Sequence, residues 1–342
     1  MTLPLLYRIR AVLSKQSQKR GQESAYFAAN TLVTVANTPE INTSRIISTQ
    51  GDWTLTTAPH GASLHGLSYK GADMVTSYSG ADNKVGGQGD VLIPFPGRIA
   101  NGQYTFMTES YQLDKNDKEG PNAIHGFLRQ AEWDIAAQTE SAVTYTATLS
   151  ADAHPGYPFA LEVSLTYALS ANGLRVSFEI ENTGTTPAPV AAGFHPYFTL
   201  GPALIDGDTL HVPFDSYLEF DDALIPTGKV LSVDGTAFDF RTPRPVGEVV
   251  LNICYLHPQR GPDGLLRVRL SNHERAATVW MDAAYDYAVL YSGDPLPDSH
   301  RRRSLAIEPM TCGADGFNHA DWGLVTLVPG ETLTGTWGVS AE

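Results

Sequence analysis

Leu161-Glu162-Val163-Ser164-Leu165-Thr166-Tyr167-Ala168-Leu169-Ser170, followed by Ala171-Asn172-Gly173 and Leu174-Arg175-Val176-Ser177-Phe178-Glu179-Ile180-Glu181, decides the fold. Apolar and polar side chains alternate with a period of two, the spacing that sends successive side chains to opposite faces of a strand. Each run reads as a half-buried strand, and the Asn-Gly step between them suits a tight turn, so the segment is expected to form an antiparallel hairpin. The same alternation recurs at Tyr145 and Leu149, at Leu266, Val268 and Leu270 with Arg267 and Arg269 between them, and around Leu333 and Trp337. No interior run has helical periodicity, and no 20–50-residue repeat points to a propeller or solenoid. The expected fold class is all-β, a large antiparallel β-sandwich.

The bulk properties agree with that reading. Of 342 residues, 42% are hydrophobic and 18% charged, enough apolar material for a substantial core. The 31 glycines and 22 prolines supply turns for many short strands. A net charge of −14 argues against a broad surface for nucleic acid or anionic lipid and leaves a small neutral ligand open. Cys254 and Cys312 stand far apart without metal or redox spacing, and the ten histidines form no zinc motif, so no metal site is expected. No stretch has the roughly 20 apolar residues of a membrane-spanning helix, and a soluble, cytoplasmic protein is expected.

Residues 1–40 read as an extension and 41–342 as one domain, because no linker or charge run interrupts the interior. The first 22 residues carry Arg8, Arg10, Lys15, Lys19 and Arg20 with no acid, and Leu5, Ile9, Val12 and Leu13 could share a helical face. A frayed basic extension or short docking helix is the reading adopted over a transit or membrane-surface segment.

Four segments place titratable groups among apolar, Gly or Pro neighbours: Leu92 to Gly102 with Arg98, Pro121 to Gly126 with His125, Gly193 to Phe198 with His195, and Leu305 to Cys312 with Glu308. Buried ionisable groups are costly unless paired or used. If Leu305 and Ile307 face the core, alternation sends Ala306 and Glu308 to the opposite face. His195 is flanked by Phe194, Tyr197 and Phe198, rings that suit the C–H faces of sugars. Taken singly, a glutamate on a solvated face accounts for Glu308 as well as a site does, a satisfied core histidine accounts better for His195 and for His125, and Arg98 could be a structural ion-pair partner.

Taken together and in order, these motifs resemble the aldose 1-epimerase family, the galactose mutarotases. The resemblance runs from about residue 45. It includes Gly61-Ala62-Ser63-Leu64, Leu92-Ile93-Pro94-Phe95-Pro96-Gly97-Arg98-Ile99, Asn122-Ala123-Ile124-His125-Gly126 and His154-Pro155-Gly156-Tyr157-Pro158-Phe159. It continues with His195-Pro196-Tyr197-Phe198 and with Glu308-Pro309-Met310-Thr311-Cys312 before Asp315-Gly316-Phe317-Asn318. The resemblance implies a galactose mutarotase-like supersandwich, a free monosaccharide as substrate and interconversion of its α and β anomers without a cofactor. It also implies Glu308 as general base on the anomeric hydroxyl, His195 as general acid on the ring oxygen, and His125 and Arg98 as sugar-binding residues.

Two positions depart from the family pattern. Asn252 stands where the family usually has a sugar-site aspartate, and the exchange should cost on the order of 1 kcal/mol, roughly fivefold in affinity or rate. Gly97 stands where an asparagine is common, which leaves the placement of Arg98 freer. Three other readings share the fold. A hexose-6-phosphate mutarotase would need a basic pocket, for which Arg301-Arg302-Arg303 is the candidate, although a solvated loop is the ordinary account of such a run. A non-catalytic carbohydrate-binding or sensor protein would need no acid–base pair. A glycoside hydrolase would need a second carboxylate, from Asp282, Asp286 or Asp294.

Overall fold

The computed structural model describes residues 45–78 and 84–342, and over them the protein is built of antiparallel strands. The basic segment assigned to 1–40 lies outside the described residues. Helical structure among the described residues is limited to short 3-10 turns such as Leu128–Gln130 and Ile205–Gly207.

The hairpin read from the sequence is present: Leu161–Ser170 pairs with Gly173–Asn182 in register from Leu161 opposite Asn182 to Ser170 opposite Gly173. The turn itself differs. Ala171 and Asn172 make it without positive φ, while Gly173 has φ +120° and already belongs to the ladder. A Cβ on Gly173 would stand 2.0 Å from the Val339 carbonyl oxygen, so this glycine is required by close approach of the neighbouring strand Thr332–Ala341.

The hairpin sits inside a nine-stranded sheet that continues through Thr332–Ala341, Ala276–Met281 and Leu266–Ser271. A second, twelve-stranded sheet carries Tyr197–Phe198, Leu305–Met310, Tyr287–Tyr291 and Asn252–Pro258 as successive neighbours. The short strand Gly193–Phe194 pairs with Leu305–Met310 on one side and Val91–Leu92 on the other.

One apolar core lies between the sheets. Phe194 packs on Phe178 and Trp337 of the nine-stranded sheet at ring separations of 6.1 and 5.3 Å. Leu305, Ile307, Leu290, Tyr255 and Phe198 join the same buried cluster. Each fully buried side chain of this kind contributes roughly 1.5–3 kcal/mol of transfer free energy. That burial fixes the faces. With Phe194 and Ile307 turned inward, alternation turns His195 and Glu308 out of the sandwich.

The two cysteines are buried free thiols. Among the described residues no helix is long and apolar enough to cross a membrane.

Candidate active site

The outer face of the twelve-stranded sheet floors a cleft of about 900 Å³. All five residues singled out from the sequence, Arg98, His125, His195, Asn252 and Glu308, line it.

Register explains the centre of the cleft. Gly193 pairs with Met310 and Tyr197 with Ala306, so His195, between them, stands level with Glu308. Directly opposed residues in an antiparallel pair point to the same face. The His195 Nε2 accordingly lies 3.4 Å from the Glu308 Oε1, with the two side chains 7% and 2% exposed.

Burial sets the electrostatics of the pair. It pushes the Glu308 carboxyl well above its ordinary range, and the Arg98 cation opposes it. It also pushes His195 down to about 3, with the Lys84 cation adding to the effect. The Nδ1 of His195 is buried without a hydrogen-bond partner among the described residues, which further disfavours an imidazolium. Burial therefore favours the neutral form of the pair, and the ionic form, in which a carboxylate and an imidazolium 3.4 Å apart would stabilise each other, differs from it by one proton.

The surroundings hold this geometry. Tyr197 stacks on the His195 ring at 5.0 Å with an 8° interplanar angle, and His125 meets it edge-on at 5.5 Å. Gly86 and Gly87 press against the same two side chains. A Cβ on Gly87 would stand 2.5 Å from His195 Cδ2, and one on Gly86 would stand 2.5 Å from the Tyr197 hydroxyl. Neither glycine was singled out in the sequence, although their density in Gly86-Gly87-Gln88-Gly89 was the available signal.

His125 occupies a left-handed position, φ +66°. Its Nδ1 accepts the backbone N–H of Gly97 at 3.2 Å, which leaves the ring proton on Nε2 and makes His125 a neutral donor. Burial, helped by neighbouring His195 and by the Arg129 and Arg98 cations, pushes its pKa well below the ordinary value.

The same contact settles Gly97. Its carbonyl also accepts the His125 N–H at 2.9 Å, and Arg98 pairs with Ile124 in the next register, so Gly97 is held from both sides despite φ +68°. Arg98 is therefore well placed. Its Nε donates to Asp117 at 2.8 Å and a terminal nitrogen to Glu119 at 2.6 Å, a clasp that fixes the guanidinium at the cleft wall.

Asn252 is solvent-exposed at the other end of the floor, opposite Tyr291, which is itself opposite Ala306. It shares the cleft face with Glu308 but lies two strands away, a sideways step of about 10 Å.

The residues invoked for rival readings lie elsewhere. Arg302 is buried and clasped by Asp206 and Asp294 at 2.7 and 3.0 Å, while Arg303 donates to the Pro202 carbonyl. None of the arginines 301–303 lines the cleft, and the run is neither a phosphate pocket there nor wholly a solvated loop. Asp282 accepts the backbone N–H groups of Ala284 and Thr336, Asp286 pairs with Arg260, and Asp294 pairs with Arg302. None of these three carboxylates lines the cleft either.

The comparisons with known proteins agree with the fold and the motifs. The family model for aldose 1-epimerase matches residues 45–340. Uncharacterized protein YihR of Escherichia coli K12 is 31% identical over 269 residues, 78% of this chain and 84% of that protein. Galactose mutarotase of Rattus norvegicus is 32% identical over 189 residues, 52% of this chain, and the matched part spans only 53% of that enzyme. A GalM/aldose epimerase homologue from C. elegans has the same fold, with a TM-score of 0.79 at 21% identity over 87% of this chain and 98% of that one.

Proposed function

The chain belongs to the aldose 1-epimerase family, and we propose that it interconverts the α and β anomers of a free aldohexose by opening and reclosing the pyranose ring. The observation that carries the reading is the buried Glu308–His195 pair at 3.4 Å on the floor of the cleft.

The chemistry follows from the pair's two charge forms. Carboxylic acid plus neutral imidazole and carboxylate plus imidazolium differ by one proton crossing between Oε1 and Nε2. Burial favours the first in an empty cleft. Sugar hydroxyls and the Arg98 cation favour the second, which is the form that acts.

Glu308 then takes the O1 proton while the His195 Nε2 gives one to O5. The C1–O5 bond breaks, C1–O1 becomes a carbonyl, and the open aldehyde turns about C1–C2. Reclosure returns both protons, so the cycle is neutral overall and needs no further reactant. A positioned acid or base typically contributes 10²–10⁴ in rate. His125 offers its Nε2–H and Arg98 its guanidinium as donors to sugar oxygens, and Asn252 serves the hydroxyl beyond C1.

A binding module would have no use for an acid–base pair buried at this cost, and the arginine run 301–303 that a phosphate ester would have called on lies outside the cleft. The test is polarimetry on freshly dissolved α-D-glucose and α-D-galactose, with glucose 6-phosphate in parallel. Acceleration of a free aldose is expected. Acceleration of no common aldose would overturn the reading, and a strong preference for the ester would replace it with a sugar-phosphate mutarotase.

A further inference from the structure

The row that aligns His195 with Glu308 extends one segment further. Phe194 pairs with Val91, and the next step is a hydrogen bond from the His195 N–H to the Asp90 carbonyl at 3.0 Å. Asp90, His195 and Glu308 therefore stand side by side across the sheet, with strands roughly 4.8 Å apart. Asn252 lies beyond Glu308 in the opposite direction.

This order dictates how a pyranose lies. With O1 at Glu308 and O5 at His195, ring connectivity sends C2 toward the Asn252 side and C5, with its substituent C6, toward Asp90. What waits there is not a bare carboxylate. Asp90 is 3% exposed, one of its oxygens is taken by Lys84, and the other accepts from Arg129 at 3.2 Å. Both cations line the cleft. Among the described residues the Nε of Arg129 is buried without a partner, and Lys84, with three donors, makes one hydrogen bond, to Asp90. Among these described side chains donors outnumber acceptors, so the cluster suits an oxygen acceptor.

We propose that Lys84, held by Asp90 beside Arg129, is the specificity-determining residue that reads an oxygen on C6 of the substrate. The proposal rests on the mutarotase reading and on the ring placement it implies. It makes a hexose with O6 the preferred substrate over its 6-deoxy counterpart or over a pentose that lacks C6. A hydrogen bond from a charged donor sets the expected preference at about 10–100-fold in kcat/KM.

The experiment compares D-galactose with D-fucose, its 6-deoxy form, and D-glucose with D-xylose, in the wild type, Lys84→Met and Lys84→Gln. The wild type is expected to prefer the O6 sugars, and Lys84→Met to bring the ratio close to one by losing far more activity on the O6 sugars than on their partners. Lys84→Gln, which keeps a donor for Asp90, is expected to give the same collapse if Lys84→Met folds poorly. A general disturbance of His195 would lower both sugars of a pair together and leave the ratio intact. No preference in the wild type, or a ratio unchanged in both variants, overturns the assignment. Absence of mutarotation with every sugar would instead strike the reading beneath it.

Discussion

Replacing Gly87 by alanine should disable the site without touching an ionisable group. Gly87 lies outside the left-handed region, so its backbone accepts an alanine, but the new Cβ would stand 2.5 Å from His195 Cδ2 and 3.0 Å from Nε2. Carbon atoms settle at roughly 3.5–4.0 Å, so the imidazole edge must retreat by about 1 Å. Retreat is obstructed by Tyr197 stacked on one side at 5.0 Å and His125 edge-on at 5.5 Å. Overpacking of this kind costs about 1–3 kcal/mol, and a displacement of about 1 Å at a reacting group costs about 10²-fold in rate. The assay is kcat/KM for mutarotation by polarimetry, with Tm alongside and Gly207→Ala as control, because a Cβ at Gly207 meets nothing within 4 Å. Gly87→Ala is expected to lose about 10²-fold and a few degrees while the control does neither. A Gly87→Ala enzyme with wild-type kcat/KM would refute the idea that the glycine sets the position of His195.

Three further outcomes follow from the same geometry. Asn252→Asp should raise kcat/KM roughly fivefold by restoring a charged acceptor, measurable by the same assay; a decrease would mean that residue 252 faces no sugar donor. In the pH profile of kcat/KM, the acid limb reflects a second proton entering the pair at His195, and the alkaline limb reflects loss of its one proton from Glu308. The Arg98 cation holds the Glu308 pKa down against burial, so Arg98→Gln should move the alkaline limb to higher pH and lower Tm by unpairing Asp117. An unmoved limb would separate Arg98 from Glu308 electrostatically. His125→Asn keeps a residue type that tolerates the left-handed backbone of φ +66° but removes the Nε2 donor, and a loss of about 10-fold in kcat/KM is expected with little change in Tm.

The hairpin around Ala171 and the outward turn of Glu308 were legible in the sequence because period-two alternation is local and the core takes one face of each strand. His195, His125 and Arg98 were legible only as members of an ordered set of motifs. Their convergence depends on pairings between distant segments, such as Gly193 with Met310 and Arg98 with Ile124. Lys84, Gly87 and Asp90 were not legible for the same reason. Their place in the cleft follows from the pairing of Val91 with Phe194, which no local pattern encodes. Gly173 looked like a turn residue and proved to be needed for strand approach, and Arg302 looked like part of a surface run and proved to be a buried clasp.

The central claim is that Glu308 moves the O1 proton, and Glu308→Gln tests it most directly. Burial raises the Glu308 pKa in the folded protein, so its ionisation costs stability that grows as pH rises through the unfolded carboxyl pKa toward the folded one. An amide has no such cost. The variant should therefore melt at or above the wild-type temperature at neutral pH, with the difference closing in acid, while its mutarotation rate on the preferred aldose falls about 10²–10⁴-fold. A folded Glu308→Gln protein that accelerates mutarotation as fast as the wild type would contradict the account.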